Sequence, residues 1–321
     1  MHGLCYTSKR IAITFVVAIL AAGVGSTHAS AQSQEDDGPN SAADAANAPE
    51  EQDLDAIGQK LGNPLSNLWF VQFSNNFPSF FDGNINRGDP KAGATTVFQP
   101  VMPIPLWGEG DSQVRMITRP IVPIVWAQPV PDGPDKFEYN SGIGDIQLPL
   151  VFSKPDKIAS SWILGAGPVF EFPAATDSQL GADQWSAGPA IAIGHKSENL
   201  TWVLFGNYFW KIGSAGQDND VRDTSKGSLL YSVTYGLNDG WQIGTNPTIL
   251  YNHQASSGNK WTVPVGAFLG RTVNLGGVPV NLRVGLEYSI VRPDDFGTQA
   301  ALRFLITPVI PGLIQKPLFG E

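Results

Sequence analysis

Period-two alternation of apolar with polar or small residues runs through most of this chain, and it limits the possible fold more than any other feature. In "WQIGTNPTILYN", Trp241, Ile243, Ile249 and Tyr251 fall on one face, and Gln242, Asn246 and Asn252 on the other. "SLLYSVTYGLN" sets Leu229, Tyr231, Val233 and Tyr235 against Ser228, Ser232 and Thr234. "VPVNLRVGLEYSI" sets Val280, Leu282, Val284, Leu286, Tyr288 and Ile290 against Asn281, Arg283, Glu287 and Ser289. Successive side chains of a strand point to opposite sides, so each segment is a strand with one apolar face. About twelve such segments follow one another, at 67–77, 93–106, 112–127, 141–153, 160–173, 185–196, 200–211, 226–237, 240–253, 260–273, 278–291 and 296–308. Most run to ~11–15 residues, against ~5–6 for a globular strand and ~9–11 for a tilted strand crossing a membrane.

The connections support the same reading. Gaps at 78–92, 128–140, 174–184 and 212–225 are long, whereas those at 107–111, 197–199, 238–239 and 274–277 are short. The last two gaps on the long side, 254–259 and 292–295, are also short. Long loops at one end and tight turns at the other, with an even strand number, are the pattern of a bacterial outer-membrane barrel, long loops outside. The nine tryptophans all lie near strand boundaries, as an aromatic girdle at each lipid–water interface requires. The expected fold is therefore all-β, an antiparallel up-and-down transmembrane β-barrel of about twelve strands. Prolines inside the segments, Pro100, Pro103, Pro120, Pro123, Pro149, Pro168, Pro189, Pro247 and Pro264, cannot donate to a ladder. They predict bulges or carbonyls satisfied by water.

Three parts are expected along the chain. Residues 1–31 read as a secretory signal peptide, with Lys9 and Arg10 before an apolar run from Ile11 and an A-x-A site at Ala29-Ser30-Ala31. Residues 32–55 form an acidic, disordered leader, and 56–321 the barrel, preceded by a short helical segment on which Leu54, Ile57 and Leu61 share a face. Of the 29 acids, eight lie in the leader, which leaves 21; of the 20 bases, Lys9 and Arg10 lie in the signal, which leaves 18. A body this close to neutral carries no nucleic-acid footprint. Cys5, the one cysteine, precedes the cleavage site, so the mature chain has no thiol chemistry.

Three stretches carry a resemblance. "GAGPVFEFPAATDSQLGADQWSAGPA", "KLGNPLSNLWFVQFSNNF" and "GIGDIQLPLVFSKP" resemble segments of a bacterial exported family. Its members are described as "MetA-pathway of phenol degradation" or "transporter", and sometimes as neuromedin U. The resemblance spans the body from about Lys60 onward. This chain departs from it at Phe152-Ser153-Lys154-Pro155 and at Ala174. The resemblance implies an outer-membrane β-barrel with a transport role, and small organic or aromatic solutes follow only from the family's name. The chain's end, "KPLFGE", places Phe319 third from last rather than closing on an aromatic residue.

Catalytic residues are scarce. His195 and His253 are the histidines of the mature chain, and Ser256 and Ser257 near His253 could form a lipid-modifying pair only with hydrogen-bonding geometry and a third group. "DNDVRD" lacks the glycine and distal glutamate of a calcium loop, and "RGD" at 87–89 is three residues long. No catalytic, metal or cofactor site is expected, and the chain reads as a non-enzyme. Parity instead places Gln99, Arg115, Arg119, Asp145, Gln147, Glu171, Asn207, Asn246, Arg283, Glu287 and Arg303 on the inner face, because a mid-depth charge facing lipid costs ~2–4 kcal/mol. Arg115, Arg119, Asp145, Gln147, Glu171, Arg283, Glu287 and Arg303 are the candidate lumen and selectivity residues. They could form a solute-selecting constriction or a salt-bridged plug, and a twelve-strand lumen suits either. The expectation is a passive channel in the outer membrane of a Gram-negative bacterium, exported through its Sec signal peptide. Its partners are outer-membrane lipids, a small-molecule solute and the barrel-assembly machinery.

Overall fold

A computed structural model describes residues 54–86, 88–109, 112–133, 136–153, 161–216 and 223–319, and in it the chain closes into a barrel of twelve antiparallel strands. The expected signal peptide, the expected leader up to Asp53, Arg87, Asp218 and Asp220 lie outside the described residues. Nine strands are continuous: β1 (Phe70–Asp82), β2 (Lys91–Trp107), β7 (Trp162–Phe172), β8 (Gln184–Lys196), β9 (Leu200–Ser214), β10 (Ser225–Gly236), β13 (Trp261–Leu275), β14 (Val278–Val291) and β15 (Gly297–Pro308). Three are interrupted once: β3 (Val114–Thr118) with β4 (Val122–Pro131), β5 (Phe137–Ile143) with β6 (Ile146–Ser153), and β11 (Trp241–Thr245) with β12 (Thr248–Asn252). Each strand pairs with its sequence neighbours, and β1 pairs with both β2 and β15, which closes the ring.

Prolines account for several of the irregularities. Two of the three interruptions fall at Arg119–Pro120 and Asn246–Pro247. Registers slip between Asn76 and Ser79, around Pro78, and between Val263 and Pro264. Pro168 and Pro189 face each other across β7 and β8. On their outer sides the ladders are interrupted without a change of register. Pairing skips from Pro149↔Val169 to Phe152↔Ala166 on one side, and from Ala187↔Trp210 to Ala190↔Asn207 on the other. At these two prolines a missing N–H thus coincides with a missing rung.

The two faces of the wall have opposite chemistry. Leu164, Ile191, Ile212, Leu286 and Ile290 point outward and are more than half exposed. A water-soluble barrel would bury such residues, whereas a lipid-facing belt needs them. In β8, the inward residues Ser186, Gly188, Ala190, Ala192 and Gly194 alternate with outward Trp185, Pro189, Ile191 and Ile193. Tryptophans form two rings. Trp126, Trp185, Trp210 and Trp261 lie toward the long-loop end, and Trp107, Trp162, Trp202 and Trp241 toward the short-turn end. Trp69 belongs to neither ring. It is buried, and its carbonyl accepts from Ile310 N of the C-terminal segment.

Small residues face inward because the lumen is filled at one end. Helix α1 (Leu54–Leu61) lies inside the barrel at the short-turn end, and the chain continues through Ser66 along the inner wall before entering β1. Asp55, acidic like the leader before it, belongs to the helix, and Oδ1 accepts from Gly240 N. Gln59 Nε2 donates to Glu198 O. Both partners sit in short turns, so the helix is tied to the rim. Leu61 and Leu65 join Phe70, Val101, Ile117, Val151, Ile163, Val203 and Phe205 in one buried cluster. Gly165 is required there: a Cβ would lie 2.6 Å from Leu65 Cδ1 and 2.7 Å from Val151 Cγ1.

Candidate functional site: the lumen

Above the helix the lumen opens into a cavity of about 720 Å³ that reaches the long-loop end. The largely buried Leu61, Phe70 and Phe205 lie at its base, and its walls mix polar side chains with the apolar Val97, Ile121 and Leu230. Five cations line it, Arg119, Lys226, Lys260, Arg283 and Arg303, and among the described residues no carboxylate does. The proline interruptions contribute directly. Arg119 and Asn246, the residues before Pro120 and Pro247, both line the cavity. The Asn246 carbonyl, freed from the ladder, accepts from Arg303 Nη1 at 3.4 Å.

A hydrogen-bonded belt crosses adjacent strands at mid-depth. Glu287 on β14 pairs with Arg303 Nη1 on β15, and Arg303 Nη2 donates to Ser74 Oγ on β1 at 3.2 Å. Further along, Gln72 Nε2 on β1 donates to Gln99 Oε1 on β2 at 3.3 Å, and Arg119 Nη2 donates to the same oxygen at 2.6 Å. Across the lumen, Lys226 Nζ pairs with Glu171 Oε1 at 2.9 Å, and Gln147 Nε2 donates to the same carboxylate oxygen at 3.1 Å. Arg283 donates from Nε to Asn281 Oδ1 at 2.7 Å and from Nη2 to Gln242 Oε1 at 3.3 Å, and lies 4.6 Å from the Phe268 ring centroid. Among the described residues, neither Arg119 nor Arg283 has a carboxylate partner.

The residues singled out by parity therefore divide. Arg119, Gln147, Arg283 and Arg303 line the cavity. Glu171 and Glu287 stand behind it as partners of Lys226 and Arg303. Arg115 shares the inward parity of Ile117 but lies toward the short-turn end, where its Nε donates to Gln113 Oε1 at 2.5 Å, and it does not line the cavity. Asp145 does not line it either. It sits at the break between β5 and β6, where its two oxygens accept from Ala175 N at 3.2 Å and Ala182 N at 2.7 Å. That clamp folds the loop 173–183 against the far side of β5, which has no strand partner there. Thr176 N donates to Ile143 O and Thr176 Oγ1 accepts from Ile143 N. The loop thus covers an otherwise free strand edge. Asp145→Ala leaves two backbone donors unpaired, a loss of about 1–3 kcal/mol of local stability. Cleavage by a broad-specificity protease between Ala174 and Asp183 on intact cells should rise in that variant and stay low in the parent chain.

Parity missed the helix as the element that fills the lumen. It also missed Lys226 and Lys260, which lie near strand ends where alternation is weakest. The histidine–serine pair does not form. His253 Nδ1 is 3.1 Å from Tyr251 Oη, and Ser256 Oγ accepts from Asn259 Nδ2 at 2.9 Å. His253→Ala and Ser256→Ala should therefore leave membrane lipid composition unchanged, as read by mass spectrometry of extracted lipids.

Among solved structures, an outer membrane channel from Pseudomonas putida F1 is similar at 13% identity, over 75% of this chain and 94% of that one, with a TM-score of 0.53. The NanC porin overlaps at 12% identity over 76% and 99% of the two chains, with a TM-score of 0.43. Outer membrane phospholipase A from Escherichia coli does so at 12% identity over 83% and 99%, with a TM-score of 0.39. The first similarity shows the fold, that of outer-membrane barrels. No curated protein matches the chain in sequence. A family model described as "Putative MetA-pathway of phenol degradation" matches residues 106–290, more than half of the chain and most of the barrel wall, and the chain belongs to that family.

Proposed function

We propose that this protein is a passive channel for small organic solutes in the outer membrane of a Gram-negative bacterium. In this reading the long loops face outside and α1 faces the periplasm. The observation that carries it is the cavity of about 720 Å³, lined by five cations, inside a barrel whose outer wall is apolar. A closed barrel satisfies every ladder group internally and so can cross lipid. Inward charges then meet solute rather than acyl chains. The family's description points to small aromatic compounds as solutes. The signal peptide delivers the chain to the barrel-assembly machinery, and outer-membrane lipids contact its belt.

The helix inside the short-turn end favours a second reading, a structural barrel whose lumen stays shut. Swelling of proteoliposomes separates the two. The channel reading predicts faster swelling than protein-free liposomes for solutes the size of a pentose or a phenol, with no energy source. A rate equal to protein-free liposomes for every solute would favour the structural barrel.

A further inference from the structure

We propose that the lumen cavity is a binding site for a small organic carboxylate, with its head at Arg119 and Arg303 and its apolar body on Val97, Ile121 and Leu230. The proposal rests on the reading of the lumen as the solute path and assigns the class of solute. Three observations carry it. The first is charge. Glu287 offsets Arg303 and Glu171 offsets Lys226, but Arg119 and Arg283 are held only by neutral side chains. In a narrow lumen with low-dielectric walls, uncompensated cations draw anions and repel cations.

The second is orientation. Arg119 is fixed through Nη2 by Gln99, and Arg303 through Nη1 and Nη2 by Glu287 and Ser74. Guanidinium groups held in place at the cavity wall suit a planar carboxylate, because charge-assisted hydrogen bonds are roughly twice as strong as neutral ones. The third is the apolar part of the lining. A bare inorganic anion would leave the half-buried Val97, Ile121 and Leu230 facing water, whereas an anion with an apolar body covers them. A volume of about 720 Å³ lies within the range of small-ligand pockets.

Calorimetric titration of the full chain in detergent, with benzoate, benzamide and acetate, tests this. Benzoate should bind at least about tenfold more tightly than benzamide, which keeps the ring and lacks the charge, and more tightly than acetate, which keeps the charge and lacks the ring. Arg119→Gln should weaken benzoate about tenfold or more, and Arg119→Lys should recover part of that loss. Arg271→Gln, at a cation stacked on Trp241 away from the cavity, should leave binding unchanged. Retained heat-dependent gel mobility shows that each variant still folds. Equal binding of benzoate and benzamide, an equal loss in Arg271→Gln, or no saturable binding would overturn the proposal. Acetate matching benzoate would overturn the part assigned to the apolar lining. If benzoate fails to bind while neutral solutes still swell proteoliposomes, the carboxylate site falls and the channel stands. If benzoate binds and nothing crosses, the site stands and the channel reading falls.

Discussion

Deleting Leu54–Ser66 in frame should raise single-channel conductance on the order of tenfold. The segment puts Leu61 and Leu65 into the inward cluster and closes the short-turn end of the lumen. Its attachments include a bond between Asp55 and Gly240, another between Gln59 and Glu198, and the packing of Ile57, Leu61 and Leu65 against the inward cluster. The wall holds itself together through its ladders, so the barrel should survive the deletion. A point variant tests the same contact. Gly58 lies where a Cβ would be 2.2 Å from Gln242 Nε2 and 2.6 Å from Thr272 Oγ1. Gln242 is itself held by Arg283 and Asn281, so it has little room to yield. Gly58→Leu should therefore push the helix from the wall and raise conductance in the same direction, by less. Conductance unchanged by the deletion, in barrels that still fold, would show that the helix does not fill the lumen in a membrane.

Ile191→Arg should cost about 2–4 kcal/mol of folding free energy in lipid, measured by urea titration in vesicles. Ile191 is at the middle of β8 and 61% exposed, with its side chain on the outer belt. At mid-depth an arginine there has no water within easy reach. Asn207→Arg, on the inner face of the neighbouring strand, should cost much less, because that side chain enters the polar cavity. The contrast matters more than either value. Equal costs at the two positions would mean that the faces had been assigned wrongly, or that the outer wall does not meet lipid.

The wall was readable from alternation because a two-sided strand imposes it: one face meets acyl chains and the other a filled or wet lumen. The twelve expected segments and the twelve observed strands agree to within a few residues, and most differences are at ends, where alternation fades into loops. Even the prolines pointed to interruptions, two of which fall where Arg119 and Asn246 enter the cavity. Parity alone could not reveal what a residue meets on the inner side. Asp145 has inward spacing, yet its oxygens hold a loop, because the strand breaks beside it. Arg115 has it too, but at a depth below the cavity. The helix was expected from Leu54, Ile57 and Leu61, whereas its place inside the barrel depends on contacts far away in sequence. The only local trace of that placement is the row of glycines and alanines on the inner faces of β7 and β8.

The most direct measurement is gel mobility of the protein in isolated outer membranes, with and without boiling. A closed lipid-embedded barrel resists the detergent until heated, so the protein should be in that fraction and the unboiled band should migrate differently from the boiled one. A protein found soluble in the periplasm, with a single mobility under both conditions, would contradict the barrel, its lumen and the channel together.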